Sequence, residues 1–132
     1  MDDLSRRSAR EVLDDHLGLA NAWVDTPLED VLERDLRRNV SKDVVVLINR
    51  GTFRGHEGVR RLAEMLADEL PAHEAFEYTY VAAEGRVGLL EWTYADETVR
   101  VRDGVDSYLI EDGKIVAQTI HYTLEPVPQD PA

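Results

Sequence analysis

Asp106 is out of place in the segment GVDSYLIEDGKIVAQTIHY, Gly104 to Tyr122, which reads as a β-hairpin. Side chains alternate along a strand, so Asp106 shares a face with Tyr108 and Ile110. A carboxylate has little reason to join that face unless it lines something other than a dry core. In a mostly apolar pocket such a carboxyl is pushed towards its neutral form, and it can then donate a hydrogen bond to a ligand oxygen.

His16 is the second candidate, because it lies on the apolar stripe of a helix. An imidazole there can serve as acid, base or hydrogen-bond donor, or simply as a core histidine bonded to a backbone carbonyl. Glu91, in LLEWTY, is the third. If Asp96-Glu97 is a two-residue turn, Ala95 pairs with Thr98, Glu91 with Arg102 and Val87 with Asp106. Glu91 then falls on Asp106's face, either as the cross-strand partner of Arg102 or as a base. The four histidines show no metal-ligand spacing and the chain has no cysteine, so no metal site is expected. GTFRG lacks the spacing and the Lys-Ser/Thr ending of a phosphate loop, and no cofactor is expected.

The elements that must position these residues are readable from period and punctuation. Ser8 and Glu11 have capping-box spacing, and Ala9, Val12, Leu13, His16, Leu17, Ala20, Trp23 and Val24 follow at helical intervals. Thr26 as N-cap with Pro27 in the first turn opens a second helix, striped by Leu28, Val31, Leu32 and Leu36 and ending near Asn39. DVVVLINRGTFRG predicts a strand, a turn at Arg50-Gly51 and a short return strand. A third helix is predicted over Glu57 to Leu70, stopped by Pro71. From Phe76 onward the period is two, with turns at Gly85-Arg86, near Asp96-Glu97 and at EDGK, and Gly104 marks a bulge or bend. Helices followed by antiparallel strands make an α+β arrangement, in which helices on one face of a long bent sheet leave a cone with an open end. A single domain over residues 1–132 is expected, with tails at 1–7 and 125–132 outside regular structure.

Bulk composition bounds the partners. The chain has 132 residues, a formal net charge of -12 and 43% hydrophobic residues, the profile of a globular protein that has no use for nucleic acid or an anionic membrane. The longest apolar runs, such as VVVLI at Val44 to Ile48, are far too short to span a bilayer. No apolar leader stands in MDDLSRRSAR, so a cytoplasmic location is expected.

The element order, with FRGHEGVRRLAEML (Phe53 to Leu66) and GVDSYLIEDGKIVAQ (Gly104 to Gln118), resembles the NTF2-like superfamily and its SnoaL-like and ketosteroid isomerase-like members. The resemblance implies three N-terminal helices packed on a strongly curved, mostly antiparallel sheet. It places Asp106 where ketosteroid isomerase keeps a protonated aspartate that donates to the substrate oxyanion, and His16 where that enzyme has an oxyanion tyrosine. The general-base position falls at Leu47 or Ile48, with Asn49 adjacent. The Arg/Asp pair of limonene epoxide hydrolase would fall near Trp92 and Tyr94, and its second aspartate near Ile120, so that comparison fits less well.

Two registers of the last hairpin are open. A two-residue loop at Asp112-Gly113 puts Ala117, Thr119 and His121 on Asp106's face; a three-residue loop puts Gln118, Ile120 and Tyr122 there. The resemblance favours the second, with Tyr108, Gln118, Ile120, Tyr122, Asn49 and Trp92 as ligand contacts and His121 on the convex face. It implies a pocket for a small, mostly apolar carbonyl compound, in an isomerase or cyclase that stabilises an enolate through Asp106 and His16. The alternatives are a non-catalytic apolar-ligand binder and a dimerisation domain with a filled cone. A homodimer through the convex sheet face is also implied.

Overall fold

The computed structural model describes residues 3–20 and 27–129. Helix α1 covers Ala9–Ala20, and its capping box is formed. The backbone N–H of Glu11 donates to Ser8 Oγ (3.1 Å), and that of Ser8 donates to Glu11 Oε1 (3.2 Å). The expected continuation through Trp23 and Val24, and the Thr26 cap, lie outside the described residues. Helix α2 runs Leu28–Asn39 from Pro27, with Glu29 and Asp30 in its first turn and Arg37 and Arg38 in its last. Those charges oppose the helix dipole at each end. Helix α3, Gly55–Glu69, starts two residues earlier than the sequence suggests and stops ahead of Pro71.

Seven strands follow or intervene: β1 (Val40–Ile48), β2 (Gly51–Arg54), β3 (Phe76–Glu84), β4 (Val87–Ala95), β5 (Val99–Glu111), β6 (Lys114–His121) and β7 (Glu125–Pro126). They form one sheet in the order β2-β1-β6-β5-β4-β3, with β7 added to the start of β5. Every pairing is antiparallel except β1 with β6. The helices cover one face of this curled sheet, and Val12, Leu13, Leu36, Val44, Val46, Ile115 and Tyr122 lie fully buried between the layers. The architecture is the expected α+β cone.

The described segments before α1 and after β6 engage the domain. Leu4–Arg6 form a turn of 3₁₀ helix, and Glu125 accepts from Arg100 and Arg102 where β7 pairs with β5.

Bulges set which side chains look inward, because one extra residue turns all that follow to the opposite face. The β5–β6 turn is a two-residue loop with positive φ at Asp112 (51°) and Gly113 (72°). By itself that turn would bring Thr119 and His121 inward. A bulge at Val116 reverses the face, since Ile110 pairs with Ile115 while Leu109 pairs with Ala117. Asp106 is therefore opposite Ile120 and Tyr108 opposite Gln118, and His121 points outward. The favoured face is found, but a bulge produces it rather than a longer loop.

Between β4 and β5 the expectation fails. Ala95 pairs with Arg100, and Asp96 closes a four-residue turn by accepting from the backbone N–H groups of Thr98 (2.7 Å) and Val99 (2.8 Å). An extra residue on β5 between Val101 and Gly104 then flips the face. Glu91 pairs with Val105, not Arg102, and is exposed on the side away from Asp106. Arg102 bonds Glu125 instead.

Candidate functional site

The concave face encloses a cavity of about 210 Å³ between the sheet and helices α1, α2 and α3. Asp106 stands in its wall and is 9% exposed. Trp92 Nε1–H donates to Oδ1 (2.9 Å), while the Tyr108 hydroxyl and Gln118 Nε2 donate to Oδ2 (3.2 Å each). Burial pushes the Asp106 carboxyl above its ordinary range, and these donors, with nearby His16, only partly offset that. The same burial, with Asp106 close by, lifts the Tyr78 hydroxyl to about 12. An indole N–H can only donate, so Oδ1 must accept.

His16 faces the same cavity from α1. Its Nδ1 lies 2.7 Å from Asp35 Oδ2, and its ring edge meets Tyr108 with centroids 5.7 Å apart. Nε2 has no hydrogen-bond partner among the described residues. Burial alone would lower the imidazole pKa, but the charge and hydrogen bond of Asp35 outweigh it, with smaller pulls from Asp106 and Asp15, and hold it above the usual value. Asp35 fixes the ring with its proton on Nδ1, which leaves Nε2 as a basic lone pair in the neutral state.

Asp35 is the site residue that the sequence reading missed. It stands beside the stripe of Val31, Leu32 and Leu36 and is 9% exposed. The signal was available, a carboxylate in register with an apolar helix face.

Behind the dyad lies Asn39, 0% exposed. Its Nδ2 donates to both Asp35 Oδ1 and Asp15 Oδ2 (2.8 Å each), and its Oδ1 accepts from Arg7 (2.9 Å). Arg7 also bonds the carbonyls of Arg38 (2.7 Å) and Gly113 (3.0 Å), tying the segment before α1 to the β5–β6 turn. Burial would raise the Asp15 carboxyl, but bonds from Arg38 and Asn39 hold it below its ordinary range.

The remaining candidates divide. Trp92, Gln118 and Ile120 stand in the cavity wall. Tyr108 reaches Asp106 from behind that wall, and Tyr122 is buried beyond Trp92, its hydroxyl on Glu69 (2.5 Å) and its ring under Arg50. Asn49 is exposed at the end of β1, where its amide donates to the Tyr122 carbonyl (3.2 Å). It is a clasp between strands, outside the cavity. Among the described residues no cluster of His, Asp or Glu has the arrangement of a metal site.

The model of the SnoaL-like domain matches residues 22–118. The chain belongs to the SnoaL-like family. No curated protein sequence matches it. Among solved structures, an NTF2-like protein of unknown function from Burkholderia xenovorans LB400 superposes with a TM-score of 0.64 at 16% identity, covering 92% of this chain and 87% of that one. A proposed ketosteroid isomerase from Kribbella flavida DSM 17836 gives 0.57 at 16% identity, covering 90% and 84%. A de novo designed protein with a curved β-sheet gives 0.67 at 19% identity, covering 89% and 87%. At these identities the likeness is one of fold, and a fold by itself does not imply an activity. No described helix is long and apolar enough to cross a membrane.

Proposed function

We propose that this SnoaL-like protein catalyses enol or enolate chemistry on a small, mostly apolar carbonyl compound, as a cytoplasmic isomerase or cyclase. One observation carries the reading. His16 is oriented by Asp35 through Nδ1, its Nε2 has no hydrogen-bond partner among the described residues, and it lines the same cavity as the buried acid Asp106. In the forward step Nε2 takes a proton from the carbon next to the carbonyl, and the neutral Asp106 carboxyl stabilises or protonates the oxygen on which charge develops. Return of the proton to another carbon, or attack by the enolate on a second carbonyl, completes an isomerisation or a ring closure. Glu91 has no part, since it stands on the outer face.

Exchange of α-protons of compact ketones into D2O, followed by NMR, tests the step without knowledge of the natural substrate. Exchange is expected to speed up as His16 loses its proton. Its raised pKa places that rising limb above pH 6.5, the ordinary imidazole value. His16→Gln and Asp106→Asn should each slow exchange at least about a hundredfold while circular dichroism stays unchanged. Exchange indifferent to both substitutions would sink the assignment. A cavity that binds such ketones without exchanging them would instead be that of a carrier or sensor, as its mostly apolar lining also allows.

The same reading includes a homodimer through the convex sheet face. Leu47, Val87 and Val105 are 49%, 57% and 36% exposed there, and Tyr80 is 52% exposed beside Glu91. Exposed apolar side chains gathered on one sheet face favour burial against another surface. Sedimentation equilibrium should return twice the chain mass; a monomer at all accessible concentrations refutes the dimer.

A further inference from the structure

The dimensions and charge of the cavity narrow its ligand further, an inference that rests on the pocket reading above. At about 210 Å³ the cavity falls below the roughly 300–1,000 Å³ typical of sites for drug-sized molecules. A cavity of that size suits a substituted single ring or two fused rings better than a larger skeleton. Its wall includes Leu62, Ala63 and Leu66 of α3, and Phe76 and Trp92 of the sheet. Phe76 and Trp92 pack ring against ring (5.4 Å between centroids), so this wall does not yield cheaply to a larger guest.

Charge selects as strongly as size. No Lys or Arg stands among the described lining residues. The two lining histidines already have carboxylates beside them, His16 with Asp35 at 2.7 Å and His73 with Glu74 at 3.8 Å. Asp35 and Asp106 both face the cavity, and the whole chain carries a net charge of -12. An anionic ligand would shed its hydration with no lining Lys or Arg to replace it and only imidazoles already beside carboxylates, and it would enter against the field of the chain.

We infer that the cavity takes a compact neutral ketone or enone of one or two rings, and that it rejects both four-ring skeletons and carboxylate or phosphate-bearing substrates. The carbonyl oxygen of such a molecule meets Asp106, and its rings lie between α3 and the aromatic wall.

The test follows the indole Nε1–H signal of Trp92 by ¹H–¹⁵N NMR on the full chain, assigned with a Trp23→Phe variant. Four probes are titrated: cyclohexenone, α-tetralone, α-naphthoate as the anionic counterpart of tetralone, and androstenedione as a four-ring enone. Cyclohexenone and α-tetralone should shift the signal saturably, tetralone binding at least tenfold more tightly than naphthoate, with no shift from androstenedione up to its solubility limit. Naphthoate or androstenedione binding as tightly as tetralone would overturn the size or charge selection and leave the pocket itself intact. No shift with any of the four would remove the pocket reading and this inference together.

Discussion

Asn39→Ala should destabilise the protein by about 3–5 kcal/mol, the usual cost of breaking a buried charged network at one member. The expected loss is large because this one amide serves three charged groups. Its two N–H bonds go to Asp35 and Asp15, and its oxygen accepts from Arg7. The amide orientation is dictated by these partners, since the flipped form would turn its oxygen towards two carboxylates and its NH2 towards a guanidinium. Alanine leaves Asp35 and Asp15 without their shared donor and removes a polar link that joins α1, α2 and the β5–β6 turn. At roughly 4 °C per kcal/mol for a chain of this size, the melting temperature should fall by some 12–20 °C. Residual folded protein should also exchange ketone α-protons more slowly, because Asp35 no longer has a fixed position from which to orient His16. Asn39→Asp should be worse still, placing a third carboxylate between two others. A fall in melting temperature of less than about 4 °C in Asn39→Ala would mean that water replaces the amide at little cost, and that the network is not what positions the dyad.

That network shows where a sequence reading stops. The fold was legible because its signals are local: the Ser8–Glu11 box, Pro27 at a helix start, Pro71 beyond a helix end, and a clean change of period at Phe76. Asp106 was legible because a carboxylate among Tyr108 and Ile110 contradicts its own strand face. Asp35 breaks the same rule on a helix, but a stripe of period 3.6 has blurred edges, and a polar residue one position from Leu36 reads as solvent-facing. Glu91 was lost for a different reason. Its face depends on the parity of the chain between it and Asp106, and the extra residue on β5 changes that parity without any mark in composition. At the last hairpin the bulge at Val116 brought Gln118 and Ile120 inward although the turn itself has two residues. Register is a tertiary outcome there, settled by which side chains the cone can bury.

Gly104 joins the curvature of the sheet to the chemistry of the cavity, and Gly104→Ala should cost about 3 kcal/mol, the upper end of ordinary overpacking. The residue pairs with Trp92 across β4 and β5, immediately after the extra residue that flips the register. The indole of Trp92 lies flat over the glycine, so a Cβ added there would stand 2.3–2.4 Å from two of its ring carbons. A rigid bicyclic ring cannot bend out of the way. It is also held on its other sides, by Asp106 at 2.9 Å and by Phe76 and Tyr122, each with ring centroids 5.4 Å away. Either the strands part or the indole leaves. Departure of the indole would open a void in the core and strip Asp106 Oδ1 of its donor, which raises the cost of ionising the carboxyl. The variant should therefore show a melting temperature lower by about 12 °C, a displaced or broadened Trp92 Nε1–H resonance, and weakened binding of compact ketones. Trp92→Phe in the same background separates the two effects. A smaller ring that clears the new methyl should recover part of the stability while leaving Asp106 without its indole donor. If Gly104→Ala keeps the wild-type melting temperature and Trp92 signal, the close approach of indole and backbone does not shape the wall, and the bend of β5 must be held by the bulge alone.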